Sequence, residues 1–335
     1  MVNTVWMQAC CGAVRLLLGF SGKVRLLRLT MYIGKINKFR LQWGVLLVGL
    51  VLLAGAVIHN LYRNYEDILE AEQQRLLTQA RVIAVNVANR LESTDKVLRL
   101  IRRELQAYPE KSWARQVPHQ RFELMVNALS GVHSMLVLDA RGRVVVSNRQ
   151  ELLGSDLGQR PYFQAALRDP APDKLFVTPP FKTLPGTWGI ALVRVILNSQ
   201  GTFSGVVEAT LNPEYFKVLL GSVQYAPDMW SALAHGDGLQ FIMEPDRPGQ
   251  QGMNLAKPGS FFTRHMQSGK KENVLSGTVY STKEKRLMAL STVQPTTLGM
   301  DKPLIVAVSR DLAQLHAGWR KHAINQAITF SIITA

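Results

Sequence analysis

The sequence predicts an α+β protein: a membrane-crossing helix, a long helix behind it, and two antiparallel-sheet modules. Three observations carry this. An uncharged run spans Leu41 to Tyr62. A narrow apolar stripe at helical spacing follows it, from residue 61 to 107. Beyond that, one order of elements occurs twice: hairpin, loop, short helix, three strands, helix.

The run reads LQWGVLLVGLVLLAGAVIHNLY, and no charge lies between Trp43 and Ile58. At about 1.5 Å per residue it is long enough to cross a hydrocarbon core of about 30 Å. Trp43 and Tyr62 stand where interfacial aromatics belong. Residues 1–40 hold Arg15, Lys23, Arg25, Arg28, Lys35, Lys38 and Arg40 and no acid; the first acid is Glu66. This asymmetry predicts a cytoplasmic lead-in over 1–40, a transmembrane helix over 41–62, and a domain outside the cytoplasm over 63–320. The competing reading is a cleaved signal peptide with Ala54-Gly55-Ala56 as the cut. Met31 opens a compact basic lead-in and is an alternative start.

The net charge is +15 over 335 residues, a value that by itself would suit nucleic acid. Its distribution points elsewhere. Seven positive charges flank the apolar run, and the remaining 32 basic and 24 acidic residues are spread over the rest. The sequence therefore predicts a membrane as partner and no nucleic acid. Both cysteines, Cys10 and Cys11, precede the run, so the exported part can live in an oxidising compartment without disulfides. At the other end, residues 323–335 (AINQAITFSIITA) are apolar but too few to cross a bilayer. They read as the start of a truncated second transmembrane helix.

In the long helix, Leu69, Leu76, Ala80, Ile83, Val87, Leu91, Leu98, Ile101 and Leu105 recur at steps of three, four and seven. Neither Gly nor Pro interrupts it before Pro109. Such a seam has three outcomes: packing on the domain, on a second copy in a homodimer, or on both. Pro109 and Pro118 mark its end and a loop.

The first module, about 108–221, opens with strands Met135–Asp139 and Val144–Ser147 around the turn Ala140-Arg141-Gly142. Pro161 starts a short helix at Tyr162–Leu167. Leu175–Thr178, Trp188–Leu197 and Phe203–Leu211 read as strands. Asn212-Pro213-Glu214 has the polar cap, proline and acid of a helix start. The second module, about 222–312, repeats this. Its strands are Trp230–Ala234, Leu239–Met243, Leu275–Ser281, Arg286–Val293 and Leu304–Ser309, with a helix near Phe261–Gln267. Ser309 or Asp311 caps a last helix.

Catalytic and cofactor patterns are absent from the sequence. There is no GxxxxGK, HExxH, paired-Cys spacing, GxGxxG or GxSxG, and no two of the seven histidines stand four apart. The expectation is no enzyme, no cofactor and no metal. What remains is a binding constellation. Arg160 and Tyr162 sit at the mouth of the short helix. Lys182 follows a strand end, and Trp188 and Arg194 fall on one face of the strand predicted over 188–197. Together they would line one concave site for a small organic acid or amino acid, cations on its carboxylate and rings on its body. The competing reading makes Tyr162 core and Arg160 a tie for loop carbonyls.

The series Gln159-Arg160-Pro161-Tyr162-Phe163, Phe176-Val177-Thr178-Pro179-Pro180-Phe181, Gly186-Thr187-Trp188, Ala191-Leu192-Val193-Arg194, Gly205-Val206-Val207 and Asn212-Pro213-Glu214-Tyr215-Phe216 resembles the double Cache sensor domain. Asn254-Leu255-Ala256, Pro258-Gly259 and Val306-Ala307-Val308 fit its second module. Gln159 replaces the usual acid, and Lys182-Thr183-Leu184-Pro185 departs from the Ser-Arg often seen there. The resemblance implies two PAS-like modules, the first membrane-distal and the second membrane-proximal. It implies the periplasmic input region of a bacterial inner-membrane signalling protein, of the kind found on diguanylate cyclases and sensor histidine kinases. The cyclase or kinase output is not among the 335 residues. A tethered or secreted binding protein without output is the alternative.

Overall fold

The computed structural model describes residues 38–183 and 186–334. Cys10, Cys11, Met31, the basic residues up to Lys35, and Leu184-Pro185 lie outside the described residues. Helix α1 runs from Lys38 to Gln106. Among the described residues it is the one helix long and apolar enough to cross a membrane, with a mean hydropathy of 2.3 over its most apolar window. Side chains there are exposed, among them Trp43, Leu47, Leu52 and Ile58. Asn64–His322 form one compact unit, and the described residues up to Arg63 with Ala323–Thr334 form another.

In the compact unit α1 is followed by α2 (Trp113–Gln116) and α3 (His119–Ala128). The sequence reading had a loop here. Pro118 instead sets the extended residue before α3, which buries Phe122 and Val126. The strands are β1 (Val132–Asp139) and β2 (Val144–Ser147), then helix α4 (Pro161–Arg168), then β3 (Phe176–Val177), β4 (Phe181–Lys182), β5 (Trp188–Gly189), β6 (Ala191–Leu197) and β7 (Phe203–Leu211). Helix α5 (Pro213–Gly221) follows, its start capped by the Asn212 side chain accepting from the Glu214 N–H. The second set is β8 (Trp230–His235), β9 (Gln240–Glu244), α6 (Phe261–Ser268), β10 (Glu272–Thr278), β11 (Lys285–Val293) and β12 (Leu304–Asp311). Asp311 accepts from the N–H groups of Ala313 and Gln314 and starts α7 (Leu312–Leu315), which leads to α8 (Ala317–Thr334).

The two large sheets share one topology. The first has strand order β2-β1-β7-β6-β3, and the second, read from its other edge, β9-β8-β12-β11-β10. All ladders within them are antiparallel. The element order read from the sequence is thus a true structural duplication.

Side-chain alternation splits the first sheet into two faces. Met135, Val137, Leu192, Ile196, Val207 and Ala209 turn towards α1 and share one core with it. Leu136, Leu138, Val193, Val195 and Val206 turn the other way, towards α4. The α1 seam is spent on the first of these cores: Leu76, Ala80, Ile83, Val87, Leu91, Leu98, Ile101 and Leu105 are all buried in it. A buried Leu or Ile contributes roughly 1.5–3 kcal/mol. Two copies pairing through this seam would have to give that up. Of the three outcomes the seam allowed, the structure shows packing on the domain.

One strand assignment fails with consequences. The run predicted as Trp188–Leu197 breaks at Ile190. β5 leaves the sheet and pairs with β4 in a separate two-stranded ribbon, Lys182 opposite Trp188. The two modules are joined by hydrogen bonds. Leu175 N–H donates to the Gly299 carbonyl over 3.0 Å, and Asp301 N–H to that of Leu175 over 3.0 Å. Val177 N–H donates to the Asp301 carboxylate over 2.8 Å.

Candidate ligand site

Helix α4 begins with Pro161 at its first position, where a missing N–H costs nothing. Its start turns Tyr162 and Phe163 inward onto the outer face of the first sheet. The Tyr162 hydroxyl donates to Glu208 Oε2 over 2.7 Å. Thr210, two residues along β7 and so on the same face, donates to Glu208 Oε1 over 3.0 Å. Around this trio lies a concavity of about 510 Å³, counting the space open to solvent. Leu136, His133, Arg149, Arg160 and Phe181 also line it.

The electrostatics are set by burial. The Glu208 carboxyl is held above the usual carboxylate range chiefly by loss of water, and the two hydroxyls and Arg160 offset only part of this. The Tyr162 hydroxyl is pushed up by burial and by Glu208, so it stays a donor. His133 is pushed down by burial and then by Arg149, and favours its neutral form. Arg149 Nη2 stands 3.4 Å from His133 Nδ1. Arg160 donates to the Lys182 carbonyl over 3.3 Å and lies 5.4 Å from the Phe181 ring centre. A protonatable acid thus lies at the floor and two guanidinium groups at the rim.

The five residues singled out from the sequence meet different fates. Arg160 and Tyr162 line the concavity. Lys182 is exposed; its carbonyl holds Arg160, while its ammonium lies 5.9 Å from the Trp188 ring centre. Trp188 packs instead on the loop before α6: a Cβ on Gly252 would come within 2.4 Å of its indole. Arg194 points to the opposite face of the sheet. Fully buried there, it pairs with Asp95 of α1 over 2.7 Å and donates to the carbonyls of Asp173 and Leu298. Trp188 and Arg194 share no strand, which removes the reason for placing them together.

Sequence reasoning missed Glu208, Thr210, His133 and Arg149. For Glu208 a signal existed: it is the one charged residue inside the apolar run Val206–Leu211. A lone acid at an inward strand position is costly to bury, and such a cost needs a compensating role.

No family model matches the sequence, and no curated protein does. Solved structures do. An extracellular domain assigned to the histidine kinase rpHK1S-Z16 superposes with a TM-score of 0.64 at 21% identity, over 75% of this chain and 99% of that one. The periplasmic sensory domain of the Campylobacter jejuni chemoreceptor Tlp1 gives 0.58 at 13% identity, over 74% and 98%. The ligand-binding domain of the Pseudomonas aeruginosa amino-acid chemoreceptor PctB, solved with L-Arg, gives 0.56 at 17% identity, over 74% and 98%. The fold is therefore that of extracytoplasmic sensory domains of histidine kinases and chemoreceptors.

Proposed function

We propose that the chain is the membrane-anchored input region of a bacterial signal-transduction protein, and that the first module binds a small amino acid outside the cytoplasm. The observation that carries this is Glu208. Among the described residues its hydrogen-bond partners are two hydroxyls, Tyr162 and Thr210. A ligand ammonium would meet this acid at the floor, and a ligand carboxylate would meet Arg160 and Arg149 at the rim. A plain organic acid uses only the rim, so the amino acid is the better complement. The inner membrane, the periplasmic face and the membrane-distal place of the first module belong to this same reading. The orientation rests on the charge asymmetry around the apolar part of α1, and the membrane-distal place of the first module on the resemblance to double Cache domains.

Signal output follows from differential affinity: a ligand shifts the protein only as far as it prefers one state. Among the described residues, three ion pairs run from the sheets to α1: Arg194–Asp95 from the first, and Glu272–Arg81 (2.6 Å) and Arg310–Glu72 (3.2 Å) from the second. A shift in either sheet is felt at the helix that leads to the membrane. The test is a thermal-shift screen of the full chain in lipid nanodiscs with amino acids and organic acids, then calorimetry on Arg160→Ala and on Arg264→Ala in α6, the second module's short helix. The reading expects an amino acid as best hit and a large loss with Arg160→Ala only. Equal binding by both variants would place the site elsewhere.

A further inference from the structure

The second module has a concavity at the place equivalent to the first, and its chemistry is different. About 500 Å³, again counting space open to solvent, lies between the sheet and α6. Phe261 and Phe262 cover it, where the first module has Pro161 and Tyr162. The last strand contributes Ile305 and Ala307, where the first module's last strand contributes Glu208 and Thr210. Among the described residues, no lining side chain carries a charge.

Two features show that this space is not simply a loose core. The middle of the sheet wall is lined by small residues, between the larger Trp230, Met288, Leu290 and Ile305: Ala232 and Ala307 stand directly opposite each other on β8 and β12, and Ala234 continues the row. A core closing on itself would place larger side chains there, since interiors pack without voids. The second feature is Gln240, 3% exposed and lining the same space, whose side-chain Nε2 is buried without a partner. An unpaired buried donor is destabilising, and an acceptor brought by a ligand would remove that cost.

We infer that this concavity is a second ligand site, for a small uncharged molecule with an apolar, preferably aromatic, body and one acceptor oxygen for Gln240. The lining itself offers a charged ligand no charged partner. Arg286 stacks 5.2 Å from the centre of the Trp230 ring, and its donors are taken by Glu284, Ser309 and the Asp228 carbonyl. Arg264 lies 5.6 Å from the centre of the Phe261 ring. A carboxylate entering among these rings would lose its water without gaining an ion pair. The occupant would rest on β12, which runs directly into Asp311 and the start of α7.

The probe is para-fluorobenzyl alcohol, followed by fluorine NMR on the full chain in lipid nanodiscs, beside para-fluorobenzoate and para-fluorotoluene. Empty nanodiscs give the partitioning background. The alcohol should bind saturably and the benzoate should not. Ala307→Phe should abolish binding and, by filling space, raise the melting temperature. Ala232→Val, a smaller change at the paired position, should weaken the alcohol in the same direction. Gln240→Leu should weaken it about tenfold, the loss of one hydrogen bond to a buried amide, and leave the toluene unchanged. Arg160→Ala should change nothing, which separates this site from the first module's. The inference is overturned by binding indifferent to both alanine changes, by preference for the benzoate, or by no saturable binding at millimolar concentration.

Discussion

Asp95 of α1 and Arg194 of β6 form an ion pair of 2.7 Å in which the arginine has no exposed surface. The two remaining edges of the guanidinium go to the carbonyls of Asp173 and Leu298, which belong to the first module's loop and the second module's. One side chain therefore joins the long helix and both modules. Without Arg194, Asp95 keeps, among the described residues, only Arg99, 2.6 Å away on the next turn, and the two carbonyls lose their donor. Arg194→Ala should lower the melting temperature sharply and should destabilise far more than Arg160→Ala. A melting temperature unchanged by Arg194→Ala would contradict this role.

Glu208 makes a sign-specific prediction. Its folded carboxyl holds its proton above the ordinary glutamate range, near 4.3 in an unfolded chain. The folded state then binds more protons than the unfolded state, so stability is present at low pH and falls as pH rises through the folded pKa. In the ligand-free protein, Glu208→Gln should remove that fall and match or exceed the parent in stability at neutral pH. The same change should weaken an amino acid by about 2–5 kcal/mol, the loss of one partner of a buried pair, and leave a plain dicarboxylic acid almost unaffected. Melting curves against pH and calorimetry with both ligand types check it.

His235 titrates in the opposite sense. It is fully buried; its Nε2 lies 3.0 Å from the Val177 carbonyl and its Nδ1 accepts from the Asp237 N–H over 3.2 Å. Burial holds its pKa below the ordinary value of 6.5 despite the carbonyl and Asp237. The unfolded state binds the extra proton, so the contribution of His235 is present above about pH 6.5 and is lost as pH falls. Stability should drop between pH 7.5 and about 5.5, and His235→Gln should flatten that slope. An unchanged slope would assign the loss to His133, His265 or His316, all also lowered by burial.

Membrane orientation is tested by fusion. An alkaline phosphatase fused after Gly221, at the end of α5, should be active in a bacterial host, because the flanking positive charge precedes the apolar run. An inactive, stably made fusion would reverse the topology.

The local elements were legible because each has its own period or punctuation. The α1 seam, the Asn212-Pro213 cap, the Pro161 helix start and the duplicated strand order all emerge as read. Arg160 and Tyr162 were legible as neighbours lining one concavity for the same reason: a proline fixes the helix mouth that they flank. Trp188 was misplaced because an apolar run contains no mark of where a strand leaves its sheet. The break at Ile190 comes from pairing between β5 and β4, a non-local choice. Arg194 was misplaced for a related reason.

By itself the sequence determined the apolar run, the seam, the order of elements and a basic, aromatic helix mouth, since these depend on neighbours along the chain. Tertiary structure decided which face of the first sheet meets α1. Arg194 and Val193 are adjacent in sequence, yet one pairs across to Val207 on the α1 side and the other to Glu208 on the α4 side. Alternation makes any two adjacent strand residues opposite in fate. Only the packing of α1 on one face settled that Arg194 became a buried tie and Glu208 the floor of a concavity.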